Sequence, residues 1–267
     1  STIWFAPKVT TSVESEFVRE GDRLVDHVTP VLFEGSARWG KTADGGAWLP
    51  VAFQATIYKS PRPVADGQPI PDDAVIVGHA SMTTNVADDP TGVPVEVGGP
   101  TVAESGFYVW VWRAELGDQA TGTRPYLNPG VYPWTDDVRV PETSVAPFQP
   151  FAVSNVTERL VVPGDQISDQ LTVSSANGVW LEGQGGEQIP VTFTGTAYQV
   201  AGVLPPAQGT GVPSSATVLG TVQITATGPG VYTSPTVTVP NAGFITWKWE
   251  ARVAQQPTVY RPYLAGD

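Results

Sequence analysis

The hydrophobic pattern along this chain has a period of two. Residues 106–113 are GFYVWVWR and residues 243–250 are GFITWKWE. Alternate side chains of a strand share one face. Tyr108, Trp110 and Trp112 therefore point one way, as do Ile245, Trp247 and Trp249. Thr246, Lys248 and Glu250 point the other way, which suits solvent. Each run is predicted as a central strand with Trp110, Trp112, Trp247 and Trp249 in the core, because a pair of Trp buries several hundred Å². The same alternation predicts strands at Leu24–Leu32, Val51–Tyr58 and 75–84, and a strand pair within Val9–Val18. Pro- and Gly-rich stretches at 60–74, 88–92 and 205–216 separate such runs and predict loops and turns. With 28 Gly, 26 Pro and no long helical period, the pattern predicts an all-β sandwich.

The pattern occurs twice. Arg124-Pro125-Tyr126-Leu127 recurs as Arg261-Pro262-Tyr263-Leu264, at the spacing that relates Trp110 to Trp247 and Gln119 to Gln256. Upstream, GDRLVDHV at 21–28 recurs as GDQISDQL at 164–171, and LPVAFQATIY at 49–58 as IPVTFTGTAY at 189–198. The block order is the same in both halves, which predicts a tandem duplication. The expected domains are 1–146 and 147–267. Residues 128–150 join the copies, first as a closing strand of domain one and then as a short, stiff, Pro-rich spacer.

A length of 267 residues allows two domains with real cores. The net charge of −12 argues against nucleic acid and anionic membrane as partners, since both require a basic face. Without cysteine there is no disulfide and no thiol chemistry. No run reaches the roughly 20 apolar residues of a membrane helix. The chain starts at Ser1 without Met, and it stops three residues after Leu264, where the first copy continues as NPGVYPW. Both ends suggest a segment of a longer protein.

Candidate chemistry begins with a repeated acid. Asp26 lies between Leu24 and Val28 on one strand face, and Asp169 between Ile167 and Leu171. An acid on an apolar face needs a partner or stays neutral. Such an acid either caps backbone amides or assists an internal cross-link. Phosphate-loop, zinc and GxSxG motifs are absent. His27 and His79 stand alone, and no catalytic cluster recurs outside the predicted cores, so no enzymatic turnover is expected. Asp88, Asp89 and Glu96, and likewise Asp136 and Asp137, lack a diagnostic calcium spacing and suit solvated turns, so no metal or cofactor is expected. Trp39, Trp48 and Trp180 are candidates for an exposed flat face, which would make the chain a carbohydrate-binding module.

The blocks PKVTTSVES, GDRLVDHV, WLPVAFQATIY and SGFYVWVWRAEL, with NVTERL, GDQISDQL, IPVTFTGTAY and AGFITWKWEA, carry a resemblance over nearly the whole chain. Together they resemble the tandem Ig-like repeats of actinobacterial, Gram-positive cell-wall-anchored surface proteins. The resemblance implies two Ig-like β-sandwiches in a stalk or adhesin outside the cell, packed beside neighbouring repeats of the same chain. A host or glycan ligand would then be the external partner. Similar repeats in a subset of such proteins hold an internal Thr–Gln ester assisted by a buried acid. The matching positions are Thr10 or Thr11 with Gln119 and Asp26, and Thr157 with Gln256 and Asp169. This chain departs from that pattern: copy two lacks His, and strand parity puts Asp118 and Gln255, not the repeated Gln, on the Trp face. The rival cross-link is a Lys–Asn isopeptide from Lys8, or from Lys248 with Asn155, at positions that do not correspond between copies.

Overall fold

The computed structural model describes residues 3–157, 160–202, 209 and 211–266. It is all-β: among the described residues the only helical pieces are five three-residue 3-10 turns. The chain divides into two compact units, Ser1–Ala146 and Pro147–Asp267.

Unit 1 contains β1 (Pro7–Val13), β2 (Arg23–Leu32), β3 (Ala52–Ser60), β4 (Val75–Thr83), β5 (Val95–Thr101), β6 (Gly106–Ala114), β7 (Trp134–Thr135) and β8 (Thr143–Ala146). One sheet has the order β1-β2-β5. The other has the order β4-β3-β6-β7, with β8 also paired to β6. Val9, Leu24, Val28 and Val97 of the first sheet meet Phe53, Ile57, Trp110 and Trp112 of the second in one core. Two sheets sharing one core is the arrangement of a β-sandwich.

Alternation explains β2, whose side chains from Leu24 to Pro30 are buried at every second position. It did not reveal β5, where Gly98, Gly99 and Pro100 interrupt the apolar run. Gly99 is required there, because a Cβ at that position would lie 2.7 Å from the Trp110 ring. The region Val9–Val18 is one strand and not a pair. After β1 the chain turns away, and Phe17 makes an isolated parallel bridge to Val145 of β8.

Unit 2 contains β9 (Pro150–Val156), β10 (Gln166–Ile167), β11 (Asp169–Ser175), β12 (Val191–Val200), β13 (Thr217–Ala226), β14 (Gly230–Thr233), β15 (Val237–Thr238) and β16 (Phe244–Glu250). Its sheets are β14-β11-β9, β13-β12-β16 and the pair β10-β15. Strand β12 alternates buried and half-buried residues from Val191 to Tyr198, as its sequence predicts. Part of the expected loop 205–216 lies outside the described residues.

Two expectations need correction. Residues 147–150 are not a free spacer. Phe148 is fully buried with its ring 4.7 Å from that of Trp180, Pro147 accepts a hydrogen bond from Asn177, and β9 starts at Pro150. Trp247 and Trp249 are half-buried, whereas Trp110 and Trp112 are fully buried. The reason is topological: β6 is an inner strand, but β16 lies at the edge of its sheet, with β12 as its paired neighbour among the described residues.

Candidate functional site

The polar residues that the repeat preserves brace the fold of each unit. On β6 the Trp110 and Trp112 rings stack at 6.1 Å, and the Trp112 indole N–H donates to Asp26 Oδ2 on β2 at 2.8 Å. On β16 the rings of Trp247 and Trp249 stack at 5.8 Å, and Trp249 donates to Asp169 Oδ2 on β11 at 2.7 Å. Both carboxyls are fully buried. Each bond crosses from one sheet to the other. Burial pushes Asp26 up to about 6, partly offset by the Trp112 hydrogen bond and the His27 backbone N–H. Burial also raises Asp169, with Trp249 opposing.

In unit 1 the acid does not stand alone. Glu142 is buried at the end of the 3-10 turn Val140–Glu142 and accepts a hydrogen bond from the Arg139 N–H at 3.2 Å. Burial and the neighbouring charge of Asp136 push Glu142 up to about 8. Burial raises Asp136 as well. Like charges this close cannot both ionise cheaply, so Glu142 keeps its proton at neutral pH and donates it toward the Asp136 carboxylate. The Thr11 hydroxyl on β1 lies beside both Asp26 and Glu142, without a well-formed hydrogen bond to either. Thr11, Asp26, Trp112, Asp136 and Glu142 thus form a buried acid cluster between the sheets. Among the described residues no group of His, Cys, Asp or Glu is placed to hold a metal ion.

The repeated glutamines do a different job. Gln119 is buried and clamps β3: its Oε1 accepts from Ala52 N–H and its Nε2 donates to Ala52 O, both at 2.9 Å, and also to Glu115 O. Gln256 does the same to Thr192 and Arg252. Arg124 and Arg261 donate to the carbonyls of these two glutamines. Strand parity pointed both glutamines outward. The 3-10 turns Leu116–Asp118 and Val253–Gln255 break that parity and turn Gln119 and Gln256 inward, leaving Asp118 and Gln255 exposed.

The ester pairs are therefore not brought together. Gln119 is held on Ala52, Thr10 is exposed, and Thr11 faces carboxyls instead of a carboxamide. Thr157 is exposed and bonds Ser168, while Gln256 is held on Thr192. Register also corrects the hydroxyl of copy two. Val13 faces Asp26 and Thr11 faces Val28 on β1–β2; Val156 faces Asp169 and Ser154 faces Leu171 on β9–β11. The counterpart of Thr11 is Ser154, which lies beside Asp169 on an exposed position of β9 without a well-formed hydrogen bond to it. Matching the strands at Pro7 and Pro150 would have found it. Glu142 and Asp136 were missed because nothing local marks their acids as buried. Asp136 is half-buried beside Glu142 and is no solvated turn.

The isopeptide candidates are engaged elsewhere. Lys8 lies 4.8 Å over the Phe33 ring, and Lys248 pairs with Glu250 at 2.6 Å. The expected Trp platform also dissolves. Trp39 and Trp180 are 4% exposed and donate to Leu49 O and Ile189 O, one more brace present in both units. Trp48 is half-buried under Lys41.

No family model matches the chain, and no curated protein matches it. Among solved structures it is similar to the native conformation of E. coli alpha-2-macroglobulin, at 10% identity and a TM-score of 0.30. That match covers 99% of this chain and 17% of that one. A likeness this slight carries no argument about fold or activity. Among the described residues no helix is long and apolar enough to cross a membrane.

Proposed function

We propose that the chain is a structural, non-catalytic segment of a bacterial cell-surface protein, built from two tandem Ig-like β-sandwich repeats that support or form an adhesin. One observation supports this reading above the rest. The features both units share are structural ties: Trp112–Asp26 and Trp249–Asp169 join the two sheets, Gln119–Ala52 and Gln256–Thr192 fasten a 3-10 turn to a strand, and Trp39–Leu49 and Trp180–Ile189 brace the segment before that strand. A repeat that preserves such ties serves mechanical integrity, because they resist separation of the sheets and turns they join. The resemblance to actinobacterial wall-anchored repeats supplies the location, outside the cell and attached to its wall. Neighbouring repeats of the same protein are the natural partners.

Single-molecule pulling from the two chain ends tests the load-bearing role. Two discrete unfolding steps at measurable force are expected. Smooth extension without force peaks would refute it.

A further inference from the structure

One edge of β6 carries two strands with a gap between them. Trp134 and Thr135 of β7 pair with Ala114 and Arg113, and Thr143–Ala146 of β8 pair with Gly106–Val109 in antiparallel order. Residues 136–142 bridge the gap as an excursion from the sheet edge. The Asp136 N–H donates to Trp112 O at 2.8 Å where the excursion leaves, and Glu142 stands where β8 begins. The carboxyls of Asp136 and Glu142 meet at this neck.

The excursion is held unequally along its length. Its tip is fastened to loop 60–74: Gly67 N–H donates to Val138 O at 2.9 Å, Val140 N–H donates to Asp66 Oδ1 at 2.7 Å, and Val138 is buried with Val64 and Val109. Strand β8 has only four residues. Besides β6 it is held by the segment before β2, where Val18 N–H donates to Val145 O at 2.9 Å, Val145 N–H donates to Glu16 O at 2.6 Å and Ser144 Oγ donates to Ser15 O at 2.7 Å. Glu142 and β8 are therefore the part that can swing away while the tip stays in place.

Inside the neck, negative charge gathers with little to offset it. Glu142 is 2% exposed and faces Asp136 on its own segment, Asp26 on β2 and the Thr11 hydroxyl on β1. Asp137 and Arg139 flank Asp136, and His27 lies beside Asp26. The Arg139 side chain is exposed, so water screens its charge. Asp26 Oδ1 is buried without a hydrogen-bond partner. Asp26, Asp136 and Glu142 cannot all ionise cheaply in such a place.

We infer that Asp136 and Glu142 are a proton-operated latch on β8. With one proton between them the neck stays shut and β8 stays on β6. With both ionised, Glu142 swings out to water and β8 leaves before the rest of unit 1 unfolds. The open form releases the proton, because an exposed Glu142 ionises near 4.5, whereas burial and Asp136 hold it at about 8 in the closed form. Opening is therefore rarest in acid, grows more frequent as pH rises and levels off above about 8. One released proton makes the increase about tenfold per pH unit in between. The inference is independent of the stalk reading.

The test follows backbone hydrogen exchange of the whole chain between pH 6 and pH 7.5, as protection corrected for the intrinsic exchange rate. The amides of Val18 and Val145 report β8, and those of Ala55 and Ile57 on β3, a strand paired on both sides, report unfolding of the unit. Val18 and Val145 are expected to be at least about tenfold less protected than Ala55 and Ile57, and to lose about thirtyfold in protection across that range. In Glu142→Gln, which is neutral at every pH, the loss at Val18 and Val145 should shrink to less than about threefold. Equal protection of the β8 and β3 reporters at every pH would overturn the inference, since β8 would then leave only with the whole unit. Wild-type protection at Val18 and Val145 that does not change with pH would overturn it too, because β8 would fray without the carboxyls. So would a thirtyfold loss that survives Glu142→Gln, which would put the proton on another group.

Discussion

Replacing Asp26 by Asn keeps the shape of the side chain and removes its charge. Asp26 is fully buried, and burial lifts it from an ordinary 3.8 to about 6. The unfolded chain ionises it near 3.8, so folding is favoured by the protonated form. That contribution is fully present below pH 3.8, declines as pH rises, and is gone above about 6. A difference of about two units corresponds to about 3 kcal/mol. Asn behaves like the protonated acid at every pH. Its oxygen still accepts from Trp112, and its N–H groups replace Oδ1 beside the Thr11 hydroxyl. The expected result at pH 7.5 is therefore a gain of about 1–3 kcal/mol for unit 1, shrinking to near zero at pH 4. Denaturant unfolding of both proteins across pH 4 to 8, with hydrogen exchange to assign each transition to its unit, measures it. Glu142 and Asp136 titrate in both proteins, and because the Asp26 charge helps to raise Glu142, its loss in the variant adds a smaller pH-dependent part to the difference near pH 8. A loss of more than about 1 kcal/mol at pH 7.5 would refute the reasoning, as would a difference that does not change with pH.

Burial and the Asp136 charge lift Glu142 from 4.5 to about 8, so the stability that its protonated form gives is full below 4.5, declines as pH rises and is gone above about 8; Glu142→Gln, neutral at every pH, is expected to match the wild type at pH 4 and to be the more stable of the two at pH 8.5, read from thermal melts at those two values. Gln119→Ala removes three hydrogen bonds to partly buried backbone and should destabilise unit 1 by about 2–3 kcal/mol in urea unfolding. Since Gln119 and Gln256 are held by backbone, the intact mass should equal the sequence mass, and a deficit of one ammonia would contradict the placement of these glutamines. Trp110→Ala should cost its unit about 3–5 kcal/mol, and Trp247→Ala clearly less, because Trp247 lies half-covered at a sheet edge; calorimetry of the two variants compares them.

Alternation and repetition were enough to place much of this protein. The period of two put Leu24, Asp26 and Val28 on one face and the Trp pairs on another, because a strand has only two faces and a buried face must be apolar or paired. The repeat showed that Asp26 and Asp169 take the same place in their units, where each is buried and bonded to the Trp of the facing strand. Three things depended on tertiary structure. The inward turn of Gln119 follows from a 3-10 turn that resets strand parity, a backbone choice that no side-chain alternation records. Glu142 and Asp136 join Asp26 from a segment more than a hundred residues away in the chain, and only the closing of β8 against β6 brings their carboxyls together. The two Trp strands have nearly the same sequence pattern, yet Trp110 is sealed and Trp247 is not. Burial belongs to the strands on either side, and β6 has partners on both sides where β16 has one among the described residues.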